Sequence, residues 1–242
     1  MKDRSQQIAG FTLVEMMFSL TLGTVILLTA AGLLGSSGDG YGRTSGSVAT
    51  GREARASLDQ LGTDLASAVS MKDAVLATGS GGKIAFLTLL SESAQSDDGH
   101  LGDACVVSYR LADLKIGGRT RRCLVRSLRE SGDTFRALRA GDSARAFTDK
   151  FSIEEPLAFD VVGFESRPKV VALGGVWQDW VADESDAPDA LEIKLTLVRP
   201  QLAGRMRTQQ DWDALAMRSG KSRNPGLETT TATLRFGNHA SR

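Results

Sequence analysis

The chain has 242 residues, 29 basic and 29 acidic side chains, and two cysteines. Zero formal net charge argues against nucleic acid or an anionic surface as its general partner. Two cysteines and two distant histidines, His100 and His239, give no metal-ligand spacing, and the length allows one substantial domain with its own core.

Residues 1–10 carry Lys2 and Arg4 against Asp3, a short and net basic leader. Phe11 to Leu34 follows, 24 residues in which Glu15 is the only charge. At ~1.5 Å per residue this helix is about 36 Å long, enough to cross a hydrocarbon core of ~30 Å. The basic leader sets the N-terminus on the cytoplasmic side and the remainder outside. A carboxylate in a spanning helix costs on the order of a few kcal/mol at the bilayer centre and less near an interface, so Glu15 is expected to be functional, with a partner that offsets the cost. A secretory signal cut near Ala30, Ala31 and Gly32, or an uncleaved anchor, would account for the apolar run. Neither accounts for Gly10-Phe11 before the run or Glu15 inside it.

The hexapeptide Gly10-Phe11-Thr12-Leu13-Val14-Glu15, between a polar leader and an apolar run, resembles the class III signal of type IV prepilins and pseudopilins. The resemblance implies that a prepilin peptidase cuts between Gly10 and Phe11, that Phe11 becomes N-methylated, and that Glu15 helps dock the subunit into a growing filament. It also implies other pilins or pseudopilins and an inner-membrane assembly platform as partners. The protein would then be single-pass in a bacterial inner membrane, with a periplasmic head, no cofactor and no enzymatic role.

From Gly35 to Gly51 the chain carries six glycines with several serines and threonines. Each glycine costs ~1 kcal/mol relative to alanine in a helix, so this stretch is expected to break or soften it into a joint. Helical periodicity then resumes. Ala54, Leu58, Leu61, Leu65 and Ala68 form one apolar stripe, with Arg52, Arg55, Asp59 and Asp64 on other faces. In pilin-like proteins such a helix is the spine on which the head packs.

The remainder reads as strands over residues 83–90, 106–111, 123–128, 134–138, 157–164, 170–173, 191–198 and 229–236. Residues 211–217 read as a short helix. A hairpin is expected around Gly117-Gly118. Cys105 and Cys123 would start its two strands and so lie at opposite ends, which favours two small buried hydrophobes over a disulfide. A helix followed by antiparallel strands is an α+β order. The segments are thus a leader at 1–10, a transmembrane helix at 11–34, a joint at 35–51, and an amphipathic helix with a β-rich head at 52–242. Within the head, the run 157–164, Trp177, Trp180, Pro188 and the strand 191–198 look like the minor pseudopilin J of type II secretion and the related W-type minor pilins. As ordinary residues, both tryptophans would be core or rim aromatics.

Charge is blocked along the head. Lys115 to Arg145 holds nine basic and three acidic residues, Phe151 to Glu192 two and ten, and Lys194 to Arg223 seven and two. The blocks either neutralise one another within one fold or orient neighbouring subunits. Arg119, Arg121, Arg122 and Arg126 are the candidate phosphate contacts for a DNA-uptake or adhesion pilin, weak evidence at zero net charge. No G-x-S-x-G elbow is present. Gly79 to Lys83 lacks the first glycine of a phosphate loop and has Ile84 where a magnesium-binding hydroxyl would stand. Gly38, Gly40 and Gly42 are followed by Arg43 and complete no dinucleotide fingerprint. Asp183, Glu184, Asp186 and Asp189 offer oxygens suited to calcium, but are expected to be solvated, with no metal bound.

Overall fold

The computed structural model describes residues 12–69, 75–77, 82–89, 104–141, 147, 151–172, 174–181, 188–219 and 224–237. The chain forms two compact units, Met1–Ser45 and Gly46–Arg242. Helix α1 runs from Leu13 to Ala66, and residues 35–51 are helical throughout. The glycine-rich stretch therefore keeps its helical hydrogen bonding. In the first unit α1 exposes its apolar side chains, among them Leu13, Phe18, Leu20, Leu27 and Leu34.

The second unit is α1's C-terminal part with two antiparallel sheets, the α+β architecture expected. The first sheet is a meander in the order β1-β2-β3-β4-β5, formed by Val75–Ala77, Lys83–Leu89, Ala104–Ile116, Arg119–Arg129 and Ile153–Phe159. The second has the order β7-β6-β8-β9, formed by Trp177–Asp179, Val161–Val171, Ala190–Val198 and Leu227–Arg235. Between β3 and β4 lies the expected hairpin. Gly117 and Gly118 have φ of 59° and 76°, so the two-residue turn uses the left-handed region twice, and Ile116 pairs with Arg119 across it.

The predicted stripe is the spine of the core. Ala54, Leu58, Leu61, Leu65 and Ala68 are all buried against Phe86, Val107 and Leu124 of the first sheet and Leu191, Ile193 and Leu195 of the second. On the first sheet's outer face, Ala137 packs with Ala85, Leu87, Val106 and Phe147. Trp212 and Leu215 cover the second through Val162 and Val198.

Three strand expectations need correction. Residues 134–138 lie in a helix, α2 (Ser131–Arg139), which buries Thr134 and Ala137 three residues apart. Asp133 in its first turn and Arg136 and Arg139 in its last suit the helix dipole, and a five-residue apolar count cannot tell this pattern from a strand. The run 157–164 is two strands in different sheets. Asp160, between β5 and β6, has φ of 58°, and its carbonyl accepts a 2.8 Å bond from the Val198 N–H. Residues 170–171 end β6 and form no separate strand. Helix α3 (Pro200–Ala203) carries a proline at its start, and α4 (Gln209–Ser219) contains the predicted short helix. Glycine is required at Gly82, where φ is 63° and a Cβ would lie 2.3 Å from the Phe164 carbonyl oxygen. Packing thus accounts for this member of the phosphate-loop-like run, whose residues 79–81 fall outside the described residues.

Candidate functional site

Gly10 and Phe11 lie outside the described residues. The described helix starts immediately after them. Thr12 caps α1: its Oγ1 accepts a 3.3 Å bond from the Glu15 N–H, and its carbonyl accepts one of 3.1 Å from Met16 N–H. Thr12 and Glu15 thus occupy the first and last positions of a capping-box spacing, an order that fixes where the helix begins. The Glu15 carboxylate is exposed, in the first turn, among the exposed apolar side chains Leu13, Val14, Met16, Met17 and Phe18. No described side chain donates to it.

Three threonine hydroxyls of the apolar stretch are satisfied within the helix. Thr21 Oγ1 donates to the carbonyls of Met17 and Phe18 at 3.0 and 2.9 Å, while Thr24 and Thr29 donate to Leu20 and Val25 at 2.8 Å. Hydroxyls satisfied within their own helix leave no donor to hydrocarbon. The helix is long and apolar enough to cross a membrane. Glu15 carries the only charge in this stretch.

In the second unit the polar centre is Asp64, which the periodicity assigns to a solvent face and the structure buries. Arg126 grips its carboxylate through Nε and Nη2 at 2.7 and 3.0 Å, and the Tyr109 hydroxyl donates to Oδ2 at 2.5 Å. The carbonyl of Asp64 accepts a 2.8 Å bond from Thr88 Oγ1. Helix α1 is thereby tied to β2, β3 and β4. Tyr109 and Arg126 are direct cross-strand partners, so one register delivers both donors. Burial first, then the Asp64 charge, pushes the Tyr109 hydroxyl far above its usual range. Burial would lower Arg126, but the Asp64 bonds outweigh it and hold the guanidinium charged. Arg126 is therefore structural. Its position was legible: it stands two residues from both Leu124 and Leu128, on the buried face of β4.

The other candidate phosphate contacts are also largely engaged. Arg122 pairs with Asp113 at 2.9 Å and with Asp213 at 2.6 Å. Arg121 meets Asp160 through two bonds of 2.9 and 2.7 Å and lies over the Phe159 ring at 4.6 Å. The bonds to Asp160 raise its pKa. Arg126–Glu155 and Lys194–Glu165 also join basic to acidic blocks, and Arg110 pairs with Glu154.

Cys105 and Cys123 are both buried, as the hairpin reading expects. Ala112, not Cys105, faces Cys123 in the ladder, and burial pushes the Cys123 thiol up to about 11. Trp177 is half-buried on β7 with the Arg235 guanidinium 5.2 Å from its ring centre. His100, His239, Asp183, Glu184 and Asp186 lie outside the described residues. Among the described residues no cluster of three potential metal ligands occurs.

A family model described as the prokaryotic N-terminal methylation motif matches residues 6–31. The match takes in Gly10, Phe11, Glu15 and most of the apolar run. It supports the type IV pilin-like superfamily, whose motif is that of structural subunits, and it implies processing by prepilin peptidase and assembly with other pilins. One apolar N-terminal helix fits a single-pass membrane anchor. No curated protein and no solved structure matches the chain.

Proposed function

We propose that this chain is a minor pseudopilin of a type II secretion pseudopilus, a structural subunit that enters the filament from the inner membrane and sits near its tip. The observation that carries the reading is a helix capped by Thr12 directly after Gly10-Phe11, with Glu15 among exposed apolar side chains and no partner for it among the described residues. Prepilin peptidase cuts between Gly10 and Phe11, Phe11 is N-methylated, and Glu15 meets a methylated amine during assembly. The N-terminus is cytoplasmic and the head periplasmic, and the inner-membrane assembly platform is the first partner. The run 157–164, Trp177, Trp180, Pro188 and the strand 191–198 look like J-type pseudopilins and also like W-type minor pilins, so the alternative reading is a minor pilin of a type IV pilus, serving pilus assembly, adhesion or DNA uptake.

Mass spectrometry of the membrane-extracted protein tests the processing step. A mature chain beginning with N-methyl-Phe11 is expected. A chain beginning at Met1 or near Gly32, in cells with active prepilin peptidase, overturns it. Deletion of the chain should abolish export of secreted enzymes and leave surface pili intact; the reverse result makes it a minor pilin.

A further inference from the structure

An open groove of about 320 Å³ lies at the end of the second unit nearest Gly46. Its apolar floor includes Ile116, Pro200, Met206 and the buried Trp212, whose Nε1–H donates to the Thr120 carbonyl at 3.0 Å. Arg119 and Arg121 stand at its edge. Arg121 is preset: Asp160 takes its Nε and Nη2, Phe159 backs its plane, and its third nitrogen remains open. Asp160 holds this pose from a left-handed backbone, the one non-glycine residue with positive φ among those described.

The surroundings are cationic beyond internal need. Lys115 and Arg119 flank the exposed hairpin turn, and Arg205 and Arg207 lie in the loop that supplies Gly204 and Met206 to the groove. None of these four side chains pairs with a carboxylate among the described residues, whereas Arg110, Arg121, Arg122 and Arg126 all do. The only groove carboxylate, Asp160, is taken by Arg121. The described part of the head's own acidic stretch lies away from the groove. It begins at β7, which pairs with Lys169 to Val171 at the far end of β6. Nine to eleven residue steps along β6 separate Lys169 to Val171 from Asp160, about 30–36 Å at ~3.3 Å per residue.

We propose that this groove is an interaction site for another filament subunit, and that it takes a polypeptide segment presenting carboxylates beside an apolar side chain. The carboxylates meet Arg119 and the open edge of Arg121, and the apolar group covers Trp212 and Met206. The inference rests on the filament-subunit reading and adds a surface to it. A subunit at a filament end offers one such face to the neighbour beneath, and complementary charge fixes its orientation.

The test uses the full chain labelled with 5-fluorotryptophan in zwitterionic nanodiscs. The probe is a synthetic peptide of the chain's own residues 178–190, which holds five acidic residues, none basic, and Trp180 and Val181. Titration should move the fluorine resonance of Trp212. Arg119→Glu should weaken binding at least tenfold while leaving the unliganded Trp212 resonance and the melting temperature unchanged. A peptide with its acids replaced by amides should not bind. An unmoved Trp212 resonance, or equal binding by Arg119→Glu or by the amide peptide, overturns the proposal. So does a Trp212 shift on moving to phosphatidylglycerol discs without any response to peptide, which would make the groove a lipid-headgroup site. The N-terminal mass of the same preparation reports separately on the filament reading, so the two can fail independently.

Discussion

Glu15 and Asp64 are carboxylates in apolar stretches of the same helix, and they meet opposite surroundings. Asp64 is buried, and three side-chain donors from two strands converge on its oxygens. Glu15 is exposed, with only its own backbone N–H tied to Thr12. The difference separates two uses of a charge in an apolar setting. A carboxylate whose partners lie in its own fold sets register and is accounted for by folding. One with no described partner points to a group outside the subunit.

The largest expected effect comes from breaking the satisfied carboxylate. Asp64→Ala leaves the Tyr109 hydroxyl and the Nε and Nη2 of Arg126 buried without their acceptor, with only Glu155 still on Nη1, a loss of ~3 kcal/mol, the lower end of the usual cost of removing one member of a buried pair. Urea unfolding of the full chain, followed by tryptophan fluorescence, measures it. Replacing the whole cluster, Asp64→Leu with Arg126→Met and Tyr109→Phe, should recover most of that loss, because no buried polar group is then stranded. If the triple variant is as unstable as Asp64→Ala, the cost belongs to packing and not to the stranded charge. Tyr109→Phe alone keeps the Arg126 grip and should cost only about 1 kcal/mol.

A second contrast runs along α1. At Gly35, Gly38, Gly40 and Gly42 an added Cβ would meet nothing within 4 Å, whereas Leu58, Leu61 and Leu65 are packed in the core. We expect residues 35–45 to behave as a soft joint despite their helical hydrogen bonds, since each glycine weakens the helix by ~1 kcal/mol and the Cβ positions of these four meet no packing that would offset it. Hydrogen exchange in nanodiscs should show amides of 35–45 exchanging at least tenfold faster than those of 54–65. Equal protection would make α1 one stiff rod and remove the joint.

The apolar stripe of α1, the hairpin at Gly117-Gly118 and strands β2, β8 and β9 were legible because each has a clean period or a turn that only glycine serves. The break between β5 and β6 was not, because a single Asp in a left-handed conformation divides an apolar run that otherwise reads as continuous. Helix α2 was missed because five residues do not separate a period of two from one of 3.6. The Asp64 cluster needed two facts at once: Asp64 lies three residues beyond Leu61, and Arg126 alternates with leucines. Sequence shows each, but only the fold brings them together. The N-terminal motif was legible as chemistry, since a lone carboxylate in an apolar run is conspicuous in a string of letters. Its partner was not: no described side chain donates to Glu15, and the proposed amine of Phe11, its own or a neighbour's, lies outside the described residues.

The smallest expected effect on the head sharpens the comparison most. Glu15→Gln keeps the side-chain shape, and the backbone N–H that bonds Thr12 is unchanged. No described side chain depends on the carboxylate, so the stability of the second unit should move by less than about 0.5 kcal/mol. Cleavage after Gly10 should also persist. What should fall is recovery of filament partners, at least tenfold, since a carboxylate near the methylated amine of Phe11 gains ~1 kcal/mol from that charge at about 4 Å in water and more at the lower effective dielectric of a membrane edge. Unfolding, N-terminal mass and partner copurification can be read on one preparation. Undiminished recovery with normal secretion would leave Glu15 no role in assembly, and its place three residues after Thr12 would then reflect helix initiation alone.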